Sequence, residues 1–204
     1  MFRTIFLEIL KQEWEVLIIG LSLLVMYRFI YFKNTKRKPV FYKEVLLLLF
    51  GSYLICLFYV ISFEDVQWST SNFIPFKEIT RYPIGSNLFF KNVIGNIIMF
   101  VPLGFFLGYF FKIKKKKWLL LLVILCSTLI ECMQDVIGRV FDIDDILLNV
   151  VGGFLGYLTY DAFNKMKKQL PPILKKNFIY NIIVVILLVI FICYLTNVIG
   201  GSYL

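Results

Sequence analysis

Residues 127–156 read STLIECMQDVIGRVFDIDDILLNVVGGFLG, and polar side chains interrupt an otherwise apolar sequence there. Apolar stretches long enough to cross a bilayer flank this segment on both sides. A charge in the hydrocarbon region costs about 3 kcal/mol on insertion scales, so it is usually shielded inside a bundle and tied to a function. The segment therefore predicts the working centre of a membrane protein.

The composition also indicates a membrane protein. The 204 residues are 60% hydrophobic and 17% charged, whereas about a quarter of the residues in a soluble domain are charged. The sequence predicts an all-α polytopic integral membrane bundle of about six transmembrane helices. The predicted spans are Trp14–Phe32, Val45–Phe63, Val93–Phe111, Trp118–Ile137, Ile143–Phe163 and Phe178–Ile199.

The basic residues predict the orientation of these spans. The first, third and fifth connections hold sixteen of the 22 lysines and arginines. Short basic connections stay in the cytoplasm, so we expect both termini and the polar segment to face outward. Because topology accounts for the net charge of +9, the sequence does not indicate a nucleic-acid partner.

Helical spacing predicts that the polar side chains converge. Residues at i, i+3, i+4 and i+7 share one helix face, and two such stripes occur, one on each side of Arg139. We expect an asparagine of the third span to join them. The predicted ligand-binding residues are Asn96, Ser127, Glu131, Gln134, Arg139, Asp142, Asp145 and Asn149.

The carboxylates among these residues suit either recognition or catalysis. Glu131, Asp142 and Asp145 are the candidates for acid–base chemistry. The chain has no histidine, which excludes His-based triads and His metal sites. We predict no resident cofactor, with a divalent cation such as Mg²⁺ on carboxylate oxygens as the alternative. Arg139 either binds a phosphate or carboxylate of a ligand or forms an internal salt bridge.

The second connection, residues 64–91, is long for a link between two helices. It carries Asn72, Pro75 and Phe76 in an apolar phrase. The segment is predicted to be either an anchor at the membrane interface or a lid over Glu131.

Several phrases together resemble the VanZ-like family of bacterial membrane proteins. They are Asn72-x-x-Pro75-Phe76, Asn92-x-x-Gly95-Asn96, Phe100-Val-Pro102-Leu-Gly104, Ser127-x-x-x-Glu131-x-x-Gln134, Arg139, Asp142-x-x-Asp145-x-x-x-Asn149 and Gly152-Gly153-x-x-Gly156. The resemblance implies a role in the Gram-positive cell envelope, associated with low-level resistance to teicoplanin. It also divides the chain. Residues 1–63 hold two N-terminal spans with a basic cytoplasmic loop, residues 64–163 a VanZ-like core with an outer loop and three spans, and residues 164–204 a basic loop and a last span.

Three functions fit the sequence. The first is a non-enzymatic membrane protein that recognises a lipid-linked cell-wall precursor or an envelope glycolipid. The second is a membrane enzyme that acts on a lipid carrier at the outer leaflet, with Glu131 and Asp145 as acid–base groups or metal ligands. The third is a small transporter or flippase. The expected location is the bacterial cell membrane, the lipid bilayer is the expected partner, and the sequence leaves the oligomeric state open.

Overall fold

The structure, a computed structural model, describes residues 2–63, 71–113 and 115–200. Long helices dominate these ranges. Their bounds are Phe2–Thr35 (α1), Phe41–Phe63 (α2), Lys77–Arg81 (α3), Asn87–Phe89 (α4), Gly95–Phe111 (α5), Lys116–Val136 (α6), Ile143–Gln169 (α7) and Asn177–Gly200 (α8). A π-helical turn, Phe90–Ile94, connects α4 to α5, and a 3₁₀ turn, Pro172–Lys175, precedes α8.

Six of these helical segments are long and apolar enough to cross a membrane, which confirms the predicted all-α polytopic architecture. The observed spans are Trp14–Thr35, Phe41–Val60, Asn87–Phe111, Lys116–Val136, Ile143–Gln169 and Asn177–Tyr194. The fifth span begins with Asp144 and Asp145 in its first turn, where carboxylates interact favourably with the positive end of the helix dipole.

The chain divides into two compact units, each of which is described separately. The first comprises Met1–Trp14 and Tyr53–Lys165, and the second comprises Glu15–Ser52 and Met166–Leu204. The first unit contains the whole polar segment, residues 127–156. The second contains most of the basic residues of the first and fifth connections.

Glycines bring α5 and α7 into backbone contact in the first unit. A Cβ atom at Gly152 would overlap the carbonyl oxygen of Ile97, and one at Gly156 would overlap that of Val101. On the opposite helix, a Cβ atom at Gly104 would overlap the carbonyl oxygen of Gly153. The small residues thus allow the close approach that the G-x-x-x-G spacing predicts. This contact fixes α7 beside α5 and places their polar residues together.

In the second unit, α1, α2 and α8 are joined by polar contacts near their span ends. Arg28 of α1 binds Glu44 of α2 through two hydrogen bonds, of 2.7 and 2.8 Å. Asn181 of α8 accepts a hydrogen bond from the backbone N–H of Tyr42 at the start of α2, at 3.1 Å. That bond satisfies one of the amides that a helix start leaves unpaired.

Candidate functional site

The site begins with the tight turn between α6 and α7. Gly138 adopts a φ of 87°, the left-handed conformation that commonly ends a helix at a glycine. The backbone N–H of Arg139 then donates to the carbonyl of Gln134 at 2.9 Å. The carboxylate of Glu131 accepts the backbone N–H of Asp142 at 3.1 Å. The turn therefore returns the chain antiparallel and brings the start of α7 against the last turns of α6.

Glu131, Gln134 and Arg139 form a linked chain of polar groups. Glu131 is 2% exposed and Gln134 8% exposed, as expected for side chains that face the bundle interior. In the amide orientation that satisfies both of its ends, Gln134 donates to Glu131 Oε1 at 3.1 Å and accepts from Arg139 Nη1 at 2.7 Å. A carboxylate only accepts and a guanidinium only donates, so this orientation is the chemically consistent one. Gln134 thus bridges the two charged groups.

Ser127 and Asn149 form a second connection between α6 and α7. The amide of Asn149 donates to the hydroxyl of Ser127 at 2.9 Å, and both residues are almost fully buried. The Asn149 side-chain oxygen has no hydrogen-bond partner within the described ranges. The two residues connect the helices, and Leu119 and Val123 are fully buried along the same face of α6.

Asp142 caps α7 and binds the preceding loop. Its Oδ1 accepts the backbone N–H of Asp144 and the side-chain amide of Asn72, each at 2.9 Å. The first bond is the usual one from a helix N-cap residue. Burial raises the pKa of the Asp142 carboxyl above its ordinary value, against these two hydrogen bonds, which lower it. Asp142 is therefore a structural link between α7 and the loop that carries Asn72.

The backbone of Asn72 pairs with the same segment. Its N–H donates to the carbonyl of Phe141 at 2.8 Å, and its carbonyl accepts from the N–H of Ile143 at 3.1 Å. These bonds make a short parallel bridge between Asn72 and Asp142. Phe73 stacks on Phe141, with ring centroids 5.3 Å apart. The loop is thereby fixed to the beginning of α7.

Asp144 holds the next part of the loop, and it is not among the site residues that the sequence predicts. It is 1% exposed, and its carboxylate accepts three backbone N–H groups, from Phe76, Glu78 and Ile79. These amides belong to the start of α3, where a helix leaves its donors unpaired. The sequence signal for this role is an acidic residue in the first turn of α7, between Asp142 and Asp145. Helical spacing does not predict a site role for Asp144, because this residue lies off the stripe that Asp142 and Asp145 define.

A half-exposed group lies beside this buried network. The side-chain amide of Asn96 donates to Asp145 Oδ1 at 2.5 Å. Tyr82 lies beside Asn92 of the π-helical turn, and burial is the main cause that raises the pKa of its hydroxyl, with the nearby Glu78 and Asp145 as smaller ones. We call Tyr82, Asn92, Asn96 and Asp145 the rim. All four are partly exposed.

The loop residues Pro75 and Phe76 are exposed, and Phe76 adopts the left-handed conformation with a φ of 65°. The contacts of Asn72 and Asp144 show that this segment is docked, while the apolar side chains of Phe73, Ile74 and Phe76 remain 61–67% exposed. Both predicted roles, lid and interfacial anchor, stay predictions.

The predicted site residues therefore separate into two classes. Ser127, Glu131, Gln134, Asn149 and Asn72 are buried, whereas Asn96, Arg139, Asp142 and Asp145 are partly exposed. In residues 2–63, 71–113 and 115–200, no group of three or more Asp, Glu, Cys or His side chains is arranged to hold a metal ion. The alternative of a Mg²⁺ ion stays a prediction.

Comparison with known proteins identifies the family. The family model described as VanZ/LLP1 matches residues 50–167, more than half of the chain. This chain belongs to the VanZ/LLP1 family. Among curated proteins, Protein VanZ of Enterococcus faecium is 30% identical over 125 residues, which cover 59% of this chain and 76% of that protein. No solved structure matches.

The VanZ/LLP1 match contains every residue of the candidate site, from Asn72 to Asn149. It also contains the glycines that bring α5 and α7 together. The first span and the last lie outside the matched range. The polar network and its helical frame are thus the part of the molecule that carries the family resemblance.

Proposed function

We propose that this VanZ/LLP1 protein acts in the bacterial cell membrane and lowers the effect of teicoplanin-type glycopeptide and lipoglycopeptide antibiotics. It does so by binding a lipid-linked or membrane-anchored envelope component at the rim. One observation carries the proposal. The chain places a buried, internally hydrogen-bonded network behind a half-exposed set of amide, carboxylate and phenol groups.

The hydrogen bonds of three carboxylates support recognition rather than acid–base catalysis. Glu131, Asp142 and Asp144 each accept backbone N–H groups. A general base must reach the proton that it removes, and these carboxylates are directed at the protein's own backbone. Their arrangement suits positioning residues that fix the shape of the rim.

The rim has the chemistry of a site for hydroxyl and amide groups. Asp145 accepts hydrogen bonds, Asn92 and Asn96 both donate and accept, and the Tyr82 hydroxyl does either. Sugar hydroxyls and peptide amides of envelope precursors need such partners. The exposed apolar residues Phe73 and Ile74 of the docked loop would lie at the membrane interface, beside the lipid part of the same ligand.

The distribution of basic residues supports an extracytoplasmic rim, with both termini on the same side. Single-cysteine variants in a cysteine-free background test this orientation. An impermeant maleimide added to intact cells should label Ser71→Cys and not Lys115→Cys, since the two positions lie on opposite connections. The reverse pattern would place the rim in the cytoplasm and contradict the proposed antibiotic role.

A resistance assay tests the site. Glu131→Gln, Arg139→Ala and Asp145→Asn should each remove most of the increase in teicoplanin inhibitory concentration that the wild type gives a susceptible host. Asp135→Asn is the matched control, because Asp135 is an exposed carboxylate at the end of α6. Lys115→Ala is a second control. The variants must be compared at equal membrane abundance, since removing one partner of a buried charged pair lowers stability by roughly 3–5 kcal/mol. Normal protection by the three site variants would refute the assignment.

Precursor profiling separates binding from catalysis. We expect lipid-linked cell-wall precursors to have the same chemical structures with and without the protein, and to be retained by the purified wild type more than by Asp145→Asn. A group added to or lost from a lipid carrier only in cells with active protein would contradict the binding proposal and favour the membrane enzyme.

A further inference from the structure

The second unit carries a concentration of positive charge that the rim does not use. Its two segments, Glu15–Ser52 and Met166–Leu204, contain ten lysines and arginines but only two acidic residues. One of those acids, Glu44, is already paired with Arg28 through two hydrogen bonds. The remaining basic side chains, from Lys33 to Lys43 and from Lys167 to Lys176, are exposed.

Two of these lysines stand over a pair of tyrosines. Tyr42 of α2 and Tyr180 of α8 are in ring contact, with centroids 5.3 Å apart. The ammonium of Lys43 lies 5.8 Å from the centroid of Tyr42, and that of Lys167 lies 4.8 Å from the centroid of Tyr180. We call these four residues the tyrosine–lysine cluster. It joins α2, α7 and α8 in one place, so its ammonium groups are positioned by three helices.

The cluster lies where lipid headgroups are expected. The second span begins at Phe41, the sixth begins at Asn177, and the fifth ends at Gln169. Tyr42, Lys43, Lys167 and Tyr180 are thus within a few residues of span boundaries, at the level of the interface. Tyrosine is enriched at this level because its ring is apolar and its hydroxyl is polar.

The cluster also has an unused hydrogen-bonding group. The Tyr180 hydroxyl is buried and has no partner among the side chains and backbone that the structure describes. A buried hydroxyl without a partner destabilises the folded protein. A phosphate placed between the two ammonium groups would supply an acceptor for this hydroxyl, either directly or through a water that the phosphate orders. The flexible lysine side chains would turn toward the phosphate.

We propose that the tyrosine–lysine cluster binds the phosphate of an anionic phospholipid. Lys43 and Lys167 supply the charge, and the Tyr42–Tyr180 contact supplies a rigid base for them. General attraction of lysines to an anionic leaflet is worth about the same for each exposed lysine. A specific site differs from that background because replacing its two lysines lowers phospholipid affinity more than replacing other lysines of the chain does.

Lipid retention by the purified full-length protein tests the site. The protein is exchanged into detergent containing equal amounts of phosphatidylglycerol and phosphatidylcholine, and bound lipid is measured by native mass spectrometry. Lys43→Gln/Lys167→Gln should lose about a hundredfold in phosphatidylglycerol affinity, as expected for the loss of two hydrogen bonds between charged groups. The matched control is Lys116→Gln/Lys117→Gln, because those lysines also lie over aromatic rings, at 5.7 and 5.6 Å from the Phe154 and Trp118 centroids.

Each outcome decides the question. Selective loss in the cluster variant, with phosphatidylglycerol preferred over phosphatidylcholine in the wild type, supports the proposal. An equal loss of phosphatidylglycerol affinity in both double variants would show that general electrostatic attraction accounts for the binding, and it would overturn the proposal. Competition by millimolar glycerol 3-phosphate that removes the lipid completely would identify a soluble phosphate ligand instead. Lys43→Arg/Lys167→Arg keeps the charge and should bind as the wild type does, which separates binding from a folding defect.

Discussion

The carboxylate of Asp144 should determine whether the loop that contains α3 stays docked. It is 1% exposed and accepts N–H groups from Phe76, Glu78 and Ile79. The substitution Asp144→Asn keeps the volume but replaces one oxygen with an NH₂ group. Oδ2 serves Glu78 and Ile79, while Oδ1 serves Phe76, so either amide orientation leaves at least one buried backbone donor facing another donor.

The size of the effect follows from these bonds. A hydrogen bond to a charged group contributes about 1.5–3 kcal/mol, and one between neutral groups about 1 kcal/mol. The variant loses at least one bond and converts the others from charged to neutral acceptors. We expect the docked loop to be destabilised by about 3 kcal/mol, which raises the population of the released loop by roughly a hundredfold.

Limited proteolysis measures this population. Lys77 and Arg81 are exposed trypsin sites within α3, and cleavage requires the local backbone to open. Trypsin should cut Asp144→Asn after these residues much faster than it cuts the wild type. The control is Asp135→Asn, because it makes the same carboxylate-to-amide change at an exposed position of α6. Equal cleavage rates in wild type and a folded Asp144→Asn would refute the reasoning.

Three further predictions concern the frame of the site. A carboxyl whose pKa folding raises stabilises the folded state most at low pH, and that contribution is lost as pH rises through the folded pKa. Asp142→Asn should therefore flatten the acid-range pH dependence of Tm. Gly152→Ala should lower the unfolding free energy by about 1–3 kcal/mol, because the added Cβ overlaps a backbone carbonyl. Gly95→Ala is the control, because its added Cβ makes only ordinary contact. Thermal unfolding should show that Gly95→Ala is neutral or stabilising. Ser127→Ala should cost about 1–3 kcal/mol, since it leaves the buried amide of Asn149 without its recorded acceptor, and an unchanged Tm would contradict that value.

The positions of the six spans were predictable from local sequence because the length and polarity of a segment decide whether it can cross a bilayer. The burial of Ser127, Glu131 and Gln134 followed from their shared helix face and from the cost of exposing such groups to lipid. Asp135 follows Glu131 by one helical turn and so shares that face, yet its side chain is exposed. It lies one residue from the end of α6, where the bundle no longer covers every side of the helix.

The sequence by itself thus determined the membrane class, the spans and the helix faces that carry the polar groups. Only the tertiary structure decided that Asp144 holds the start of α3, across 65 to 68 residues of chain, and that Tyr42 meets Tyr180. The physical reason is that periodicity reports which side of a helix a residue occupies and nothing about which distant segment packs there. Those partners are selected by the joint packing of several helices and by the backbone donors that each loop must satisfy.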